Sequence, residues 1–102
     1  TGAIAAQELR AKYDRVAILD IDLHHGNGTQ HIFYDRSDVL TLSVHADPSD
    51  FYPFFWGHAE EIGEAAGIGF NKNYPIALGS GDDVFLGALD RAMDANDDFG
   101  AD

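Results

Sequence analysis

Between residues 20 and 29 the chain reads Asp20-Ile21-Asp22-Leu23-His24-His25-Gly26-Asn27-Gly28-Thr29, directly after an apolar segment. Two carboxylates and two imidazoles are packed into this run. In an extended strand alternate side chains share a side, so Asp20, Asp22 and His24 are expected on one side and His25 on the other. A carboxylate and a neutral imidazole at the end of a buried strand are mixed O and N donors of the kind Zn2+ accepts. Gly26 and Gly28 let the backbone turn where a site needs room.

The rest of the pattern alternates helix and strand. Residues 4–13 are Ala-rich and carry Glu8, Arg10 and Lys12, which predicts a helix. Residues 16–21 are almost continuously apolar, as expected of a strand buried on both faces of a parallel sheet. Residues 29–34 read as a short helical turn and residues 39–44 as a second buried strand. The gap between the two strands suits a crossover and is too long for a tight hairpin.

Residues 45–69 read as a long loop with Pro48, Pro53, several glycines and the aromatic cluster Phe51, Tyr52, Phe54, Phe55 and Trp56. Loops of this length in compact domains usually serve a function. Residues 70–76 are a third strand candidate. Ser80 and Asp83 have the spacing of a capping box, and Val84, Phe85, Ala88, Leu89, Ala92 and Met93 recur at helical spacing, a stripe expected to face the core. The order predicts a layered α/β fold with a parallel sheet, whose ligands collect at the carboxyl ends of the strands. Asp22 and His24 lie at that end of the first strand and His45 at that end of the second.

Composition narrows the chemistry. The 102 residues contain no cysteine, which excludes disulfides, thiolate metal sites and Cys nucleophiles. The formal charge is −12, with only six Lys and Arg, too few to neutralise a nucleic-acid backbone. An acidic surface is compatible with a cationic substrate and also serves solubility. No apolar run reaches transmembrane length, so neither a membrane nor a nucleic acid is expected as a partner, and the cytoplasm is the default location. A chain of this size fits one small domain at most. It begins Thr1-Gly2-Ala3, as if a helix were already under way.

The run Asp-x-Asp-x-His-His-Gly-x-Gly-Thr resembles the zinc signature of the histone deacetylase superfamily, which includes acetylpolyamine amidohydrolases. Leu42-Ser43-Val44-His45, Phe51-Tyr52-Pro53, Gly57-His58, Gly67-Ile68-Gly69-Phe70-Asn71 and Asn73-Tyr74-Pro75 follow in the family's order at about its spacing. The resemblance covers roughly residues 2 to 94. It implies a three-layer, parallel-sheet arginase/deacetylase-like fold, of which residues 1–102 would be the central part of one domain.

The resemblance also implies roles. Asp22 and His24 match two zinc ligands. The third, an Asp, is expected well downstream, and Asp97, Asp98 and Asp102 do not match its motif. Asp20, Ser43 and Val44, with the carbonyls of Asp22 and His24, match a structural K+ or Na+ site. The carbonyls of Phe33, Arg36, Val39 and Phe70 match a second cation site. Tyr52 and Phe51 match the wall of an acyl-lysine tunnel, and Trp56 and His58 could shape its rim. Asn27 stands where other branches carry an Asp that tunes a catalytic His, and the Asn resembles the class II and polyamine-type branches. His25, His31 and His45 are expected to be structural.

A family member of this kind hydrolyses an acetyl-amide on a cationic amine, with Zn2+ polarising the carbonyl, a His pair moving protons and a Tyr stabilising the oxyanion. No segment here matches the His pair or that Tyr, so these residues alone are expected to have negligible activity. Fe2+ would suit the same donors. The arginase branch uses an Asp-x-His-x-Asp pattern, which the order here disfavours. A non-catalytic relative that binds only a metal or a partner is the alternative from a different class.

Overall fold

The computed structural model describes residues 2–102; the expectation at Thr1 lies outside them. The elements are α1 (Gly2–Leu9), β1 (Val16–Asp20), α2 (Asn27–Phe33), β2 (Val39–Ala46), a 3-10 turn (Ala65–Gly67), β3 (Asn71–Ile76) and α3 (Asp82–Phe99). The three strands form one parallel sheet in the order β1-β2-β3. Each parallel step needs a crossover. Between β1 and β2 the crossover is α2; between β2 and β3 it is the long loop with its single 3-10 turn.

β2 is the centre of the sheet and is buried at every position. Side chains alternate across a strand, so β2 has two faces. Leu40, Leu42 and Val44 pack with Ala88 and Ala92 of α3. The small alanines of the α3 stripe let that helix approach the sheet closely. On the other side Val39 packs with Val16 of β1, Phe33 of α2 and Ala6 of α1. Helices therefore cover both faces, giving the expected α/β/α layering. Further along that second face β2 presents Thr41, Ser43 and His45, all buried.

Three expectations are corrected. β1 is not buried on both faces. It is an edge strand among the described residues, and Leu19 is 38% exposed. The extended conformation stops at Asp20, so strand alternation does not order Asp22, His24 and His25. The reason is local: the Asp20 carboxylate accepts the Asp22 N–H and the Asp22 carboxylate accepts the His24 N–H, at 2.9 and 2.8 Å. Such Asx bonds give the backbone an alternative to the strand ladder. Ser80 and Asp83 do not form a capping box. The N-cap of α3 is Gly81, without a side-chain cap, and the Ser80 hydroxyl donates to the Ala77 carbonyl instead.

Boundaries also move. α1 ends at Leu9, and residues 10–12 form a turn before β1. Its end is tied to the sheet by Arg10, which donates to the Asp38 carboxylate at 2.6 Å, while Arg36 grips both Asp38 oxygens at 2.9 and 2.7 Å. These bonds, led by Arg36 and opposed by burial, hold the Asp38 carboxyl well below the usual carboxylate range. α3 stops at Gly100, whose φ of 70° closes the helix in the left-handed conformation.

Candidate functional site

The turn after β1 carries the proposed ligands at the carboxyl end of the sheet. Asp22 Oδ1 and His24 Nδ1 lie 3.5 Å apart. Two donors on a tetrahedral Zn2+ with bonds of about 2.0–2.1 Å are separated by about 3.3 Å, so one ion can reach both with little adjustment. Both side chains are exposed, which leaves them free to take a metal. Among the described residues no group of three His, Asp or Glu converges on a metal position. The donor set thus fits two coordination positions of a zinc or iron ion and does not complete them.

Aromatic residues stand against His24. Its ring is stacked on Phe51 at 5.2 Å and meets Tyr52 edge-on at 6.1 Å. The loop therefore returns to the candidate metal turn, and the two residues expected to form a tunnel wall flank the same imidazole. A cleft of about 280 Å³ opens beside Asp22, lined also by Val44, His45, Ile76, Ser80 and Phe85 among others. Trp56 and His58 sit further along the loop; the His58 Nε2–H donates to the Phe54 carbonyl at 2.9 Å.

Asp20 and Ser43 are register partners across β1 and β2, and Ser43 is paired in turn with Asn73 of β3. One polar row therefore crosses the sheet. It borders a cavity of about 10 Å³ that also meets Thr29, His25 and Gly26. A Cβ on Gly26 would fall 2.6 Å from Asp20 Oδ2, so any larger residue would have to turn that carboxylate. Of the four residues with carbonyls matched to a second cation site, Phe33 accepts the Arg36 N–H and Phe70 accepts the Thr41 N–H. Val39 starts the strand beside them, so all four lie in one neighbourhood.

His45 is fixed at both nitrogens. The Gly57 carbonyl can only accept, so His45 Nε2–H donates to it at 2.7 Å. Burial pushes the imidazole pKa down despite that bond, and the neutral ring accepts a hydrogen bond from the Ser43 hydroxyl at Nδ1, 2.7 Å away. The Ser43 oxygen lone pairs are thereby turned away from His45. His25 is 5% exposed and its ring lies 4.7 Å from that of His45. Burial and the neighbouring His45 lower its pKa as well. Both rings require Gly57: its φ is 102°, and a Cβ would sit 2.8 Å from His25 Cγ and 2.9 Å from His45 Nε2. His31 is exposed on α2, and Asn27 opens that helix, its N–H donating to the His25 carbonyl.

The sequence reading missed Gln30, Glu61 and Thr41, and gave no role to Asn71 and Asn73 within the motifs that contain them. All are joined by hydrogen bonds on the polar face of the sheet. Gln30 is separated from Asn73 by 43 positions in sequence, and neither residue type carries a local spacing signal. Only the period-2 polarity of Thr41, Ser43 and His45, read as a buried face, could have pointed to them.

The chain is similar over 78 residues to acetylpolyamine amidohydrolase 1 of Pseudomonas aeruginosa, at 63% identity, covering 76% of this chain and 22% of that protein. It is 50% identical over 91 residues to an acetylpolyamine amidohydrolase of Burkholderia pseudomallei, covering 89% of this chain and 27% of the relative. A crystal structure of the acetylpolyamine aminohydrolase from Burkholderia pseudomallei superposes with a TM-score of 0.97 at 48% identity, over 99% of this chain and 30% of that one. An HDAC homologue from Aquifex aeolicus superposes at 0.90 with 38% identity, over 94% of this chain and 26% of that one. The chain thus spans between a fifth and a third of the lengths of these relatives. The strands, the Asp-x-Asp-x-His turn and the returning aromatic loop are arranged as the deacetylase-like fold requires, and the histone deacetylase domain itself matches residues 1–100, so the chain belongs to the histone deacetylase domain family.

Proposed function

We propose that the protein containing this chain is a metal-dependent amidohydrolase that removes acetyl groups from acetylated cationic amines. The observation that carries the reading is the 3.5 Å pairing of Asp22 Oδ1 with His24 Nδ1 beneath two aromatic rings at the carboxyl end of a parallel sheet. The names of the relatives favour an acetylpolyamine over an acetyl-lysine protein.

Asp22 and His24 would hold Zn2+, or Fe2+, which suits the same donors. When bound, such an ion supplies Lewis acidity toward an amide carbonyl and toward water. The chain's own residues do the rest of what falls to them. Phe51 and Tyr52 limit the access of water and offer apolar surface to the methylene chain of the substrate. Asp20 and Ser43, with the Val44 carbonyl, would hold a structural K+ or Na+ on the polar row beneath the turn. Phe33, Arg36, Val39 and Phe70 would offer carbonyls to a second cation. Asn27 would tune the proton-transfer pair without a charge. The formal charge of −12 favours the approach of a polycation. The described residues include no helix long and apolar enough to cross a membrane, and the cytoplasm is the location this reading adopts.

The test is acetate release by the complete protein from an acetylated polyamine and from an acetyl-lysine peptide, with and without a chelator. Chelator-sensitive turnover that is faster on the polyamine is expected, and His24→Ala should lower both metal content and turnover. Turnover that survives complete metal removal would overturn the metal-dependent reading.

A further inference from the structure

The polar face of the sheet is organised around one carboxylate, and its hydrogen-bond directions can be read from that group outward. Glu61 Oε1 accepts the Gln30 Nε2–H at 2.8 Å and the Gly57 N–H at 2.9 Å; Oε2 accepts the His58 N–H at 3.0 Å. Burial alone would raise the Glu61 pKa, but the bonds from Gln30, Gly57 and His58 outweigh it and the net direction is down, so the group is an ionised, pure acceptor. Gln30 must then present its amide nitrogen to Glu61 and its oxygen inward.

Three donors converge on that oxygen: Asn73 Nδ2 at 2.8 Å, His25 Nε2 at 2.9 Å and Asn71 Nδ2 at 3.0 Å. The orientation of both Asn amides is independently fixed. Asn71 Nδ2 also donates to the Glu61 carbonyl and its Oδ1 accepts from Thr41, while Asn73 Nδ2 also donates to the His58 carbonyl. Since Gln30 Oε1 can only accept, His25 carries its proton on Nε2. Its Nδ1 is buried and has no partner. A buried ring nitrogen without a partner is costly in either tautomer, and the network decides between them by offering Nε2 an acceptor.

We propose that Glu61 is a positioning residue for the metal-binding turn: through Gln30 it locks His25 as the Nε2–H tautomer, and through the Gly57 and His58 N–H groups it fastens the aromatic loop to that turn. The second half of the device follows from Gly57, which packs directly on His25 and whose carbonyl holds His45. One carboxylate thus fixes the residue after His24 from one side and the loop that brings Phe51 onto His24 from the other. Glu61 touches neither the ligands nor the wall. Its effect on the metal rests on the reading of Asp22 and His24 as ligands; its effect on His25 does not.

The experiment has two arms on the complete protein. Nitrogen NMR of 15N-histidine-labelled protein reads the His25 tautomer directly. The Nε2–H pattern is expected in the wild type, and an Nδ1–H pattern overturns the proposal whether or not any variant folds. Zinc affinity is then measured by competition with a chromophoric chelator. Glu61→Gln is expected to disturb the His25 signal and to weaken zinc measurably, by less than the about 10-fold that a direct hydrogen-bond partner of a ligand contributes. Gln30→Glu sets two carboxylates face to face and should be at least as damaging. The double exchange Q30E/E61Q reverses the side-chain hydrogen bond but turns an amide N–H at position 61 toward the Gly57 N–H, so the His25 signal should recover while the loop stays unfastened and the affinity stays low. Unchanged affinity and His25 signal in E61Q, or a double exchange whose His25 signal is no better than the singles, would refute the lock. A wild type that binds no zinc, with His25 still Nε2–H, would refute the metal reading and leave the lock standing.

Discussion

The two faces of β2 are equally buried and are built on opposite principles. On one, Leu40, Leu42 and Val44 meet Ala88 and Ala92. On the other, Thr41, Ser43 and His45 meet Asn71, Gly57, Gln30 and their partners. The apolar face is stabilised by surface removed from water, a force without direction. The polar face gains little net free energy per bond, but every unpaired group costs more than a pair gains. The first face holds the sheet together. The second decides where its side chains point, and it is the one that lies under the candidate metal turn.

Substitutions should separate the two. Leu42→Ala removes buried methyl groups and leaves a cavity under α3, with an expected loss of about 2–5 kcal/mol in chemical denaturation. Its effect on metal affinity at temperatures where the protein remains folded should be slight. Gln30→Met keeps the shape but strands the donors of His25, Asn71 and Asn73. A smaller stability loss of about 1–3 kcal/mol is expected, with a clear loss of zinc affinity in the same chelator competition. If Leu42→Ala perturbed the metal more than Gln30→Met, the division of labour would be wrong.

Thr41→Val tests a single spoke of the polar face. It deletes the 2.5 Å bond to Asn71 Oδ1 and should cost about 1 kcal/mol, with Asn71 still held by Gln30 and the Glu61 carbonyl. The smallest effect is expected outside both faces, at Asp38. Its folded-state pKa lies below the unfolded value, so the stability it contributes is complete above the unfolded carboxylate pKa of about 3.9. That contribution fades as pH falls from there toward the folded pKa. Denaturation midpoints taken downward from pH 5 should therefore fall more steeply in the wild type than in Asp38→Asn. Parallel curves would show that the Arg10 and Arg36 contacts are not felt in solution.

The two faces also differ in how legible they were. The apolar stripe of α3 announces itself by periodicity, though it was drawn too wide, since Ala88 and Ala92 are buried but Val84 and Met93 are exposed; the parallel α/β/α arrangement follows from the order of the elements. Asp22 and His24 stood out as candidates because two donor types sit two residues apart, although strand alternation was the wrong geometry: Asx bonds from Asp20 and Asp22 end the strand before the candidates. The double burial expected for β1 was a property of a central strand, and β1 lies at an edge. The capping box at Ser80 satisfied the spacing, yet Gly81 took the cap position. Glu61 and Gln30 left no trace at all, because a network of long-range pairs between ordinary polar residues has no period to detect.

The alignment of β2 with its neighbours has a consequence for insertions and deletions. Shifting the strand by one residue would carry Leu42 and Val44 onto the amides of Asn71 and Asn73, and Thr41, Ser43 and His45 onto the alanines of α3. A strand with one wet face forfeits packing on a single side when it slips. Here both sides would forfeit at once, one through stranded amides and the other through buried hydroxyls. Relatives can therefore exchange side chains along residues 39–46, but a gap or an added residue within that segment should be close to forbidden, which makes this strand the natural anchor for aligning distant sequences to the fold.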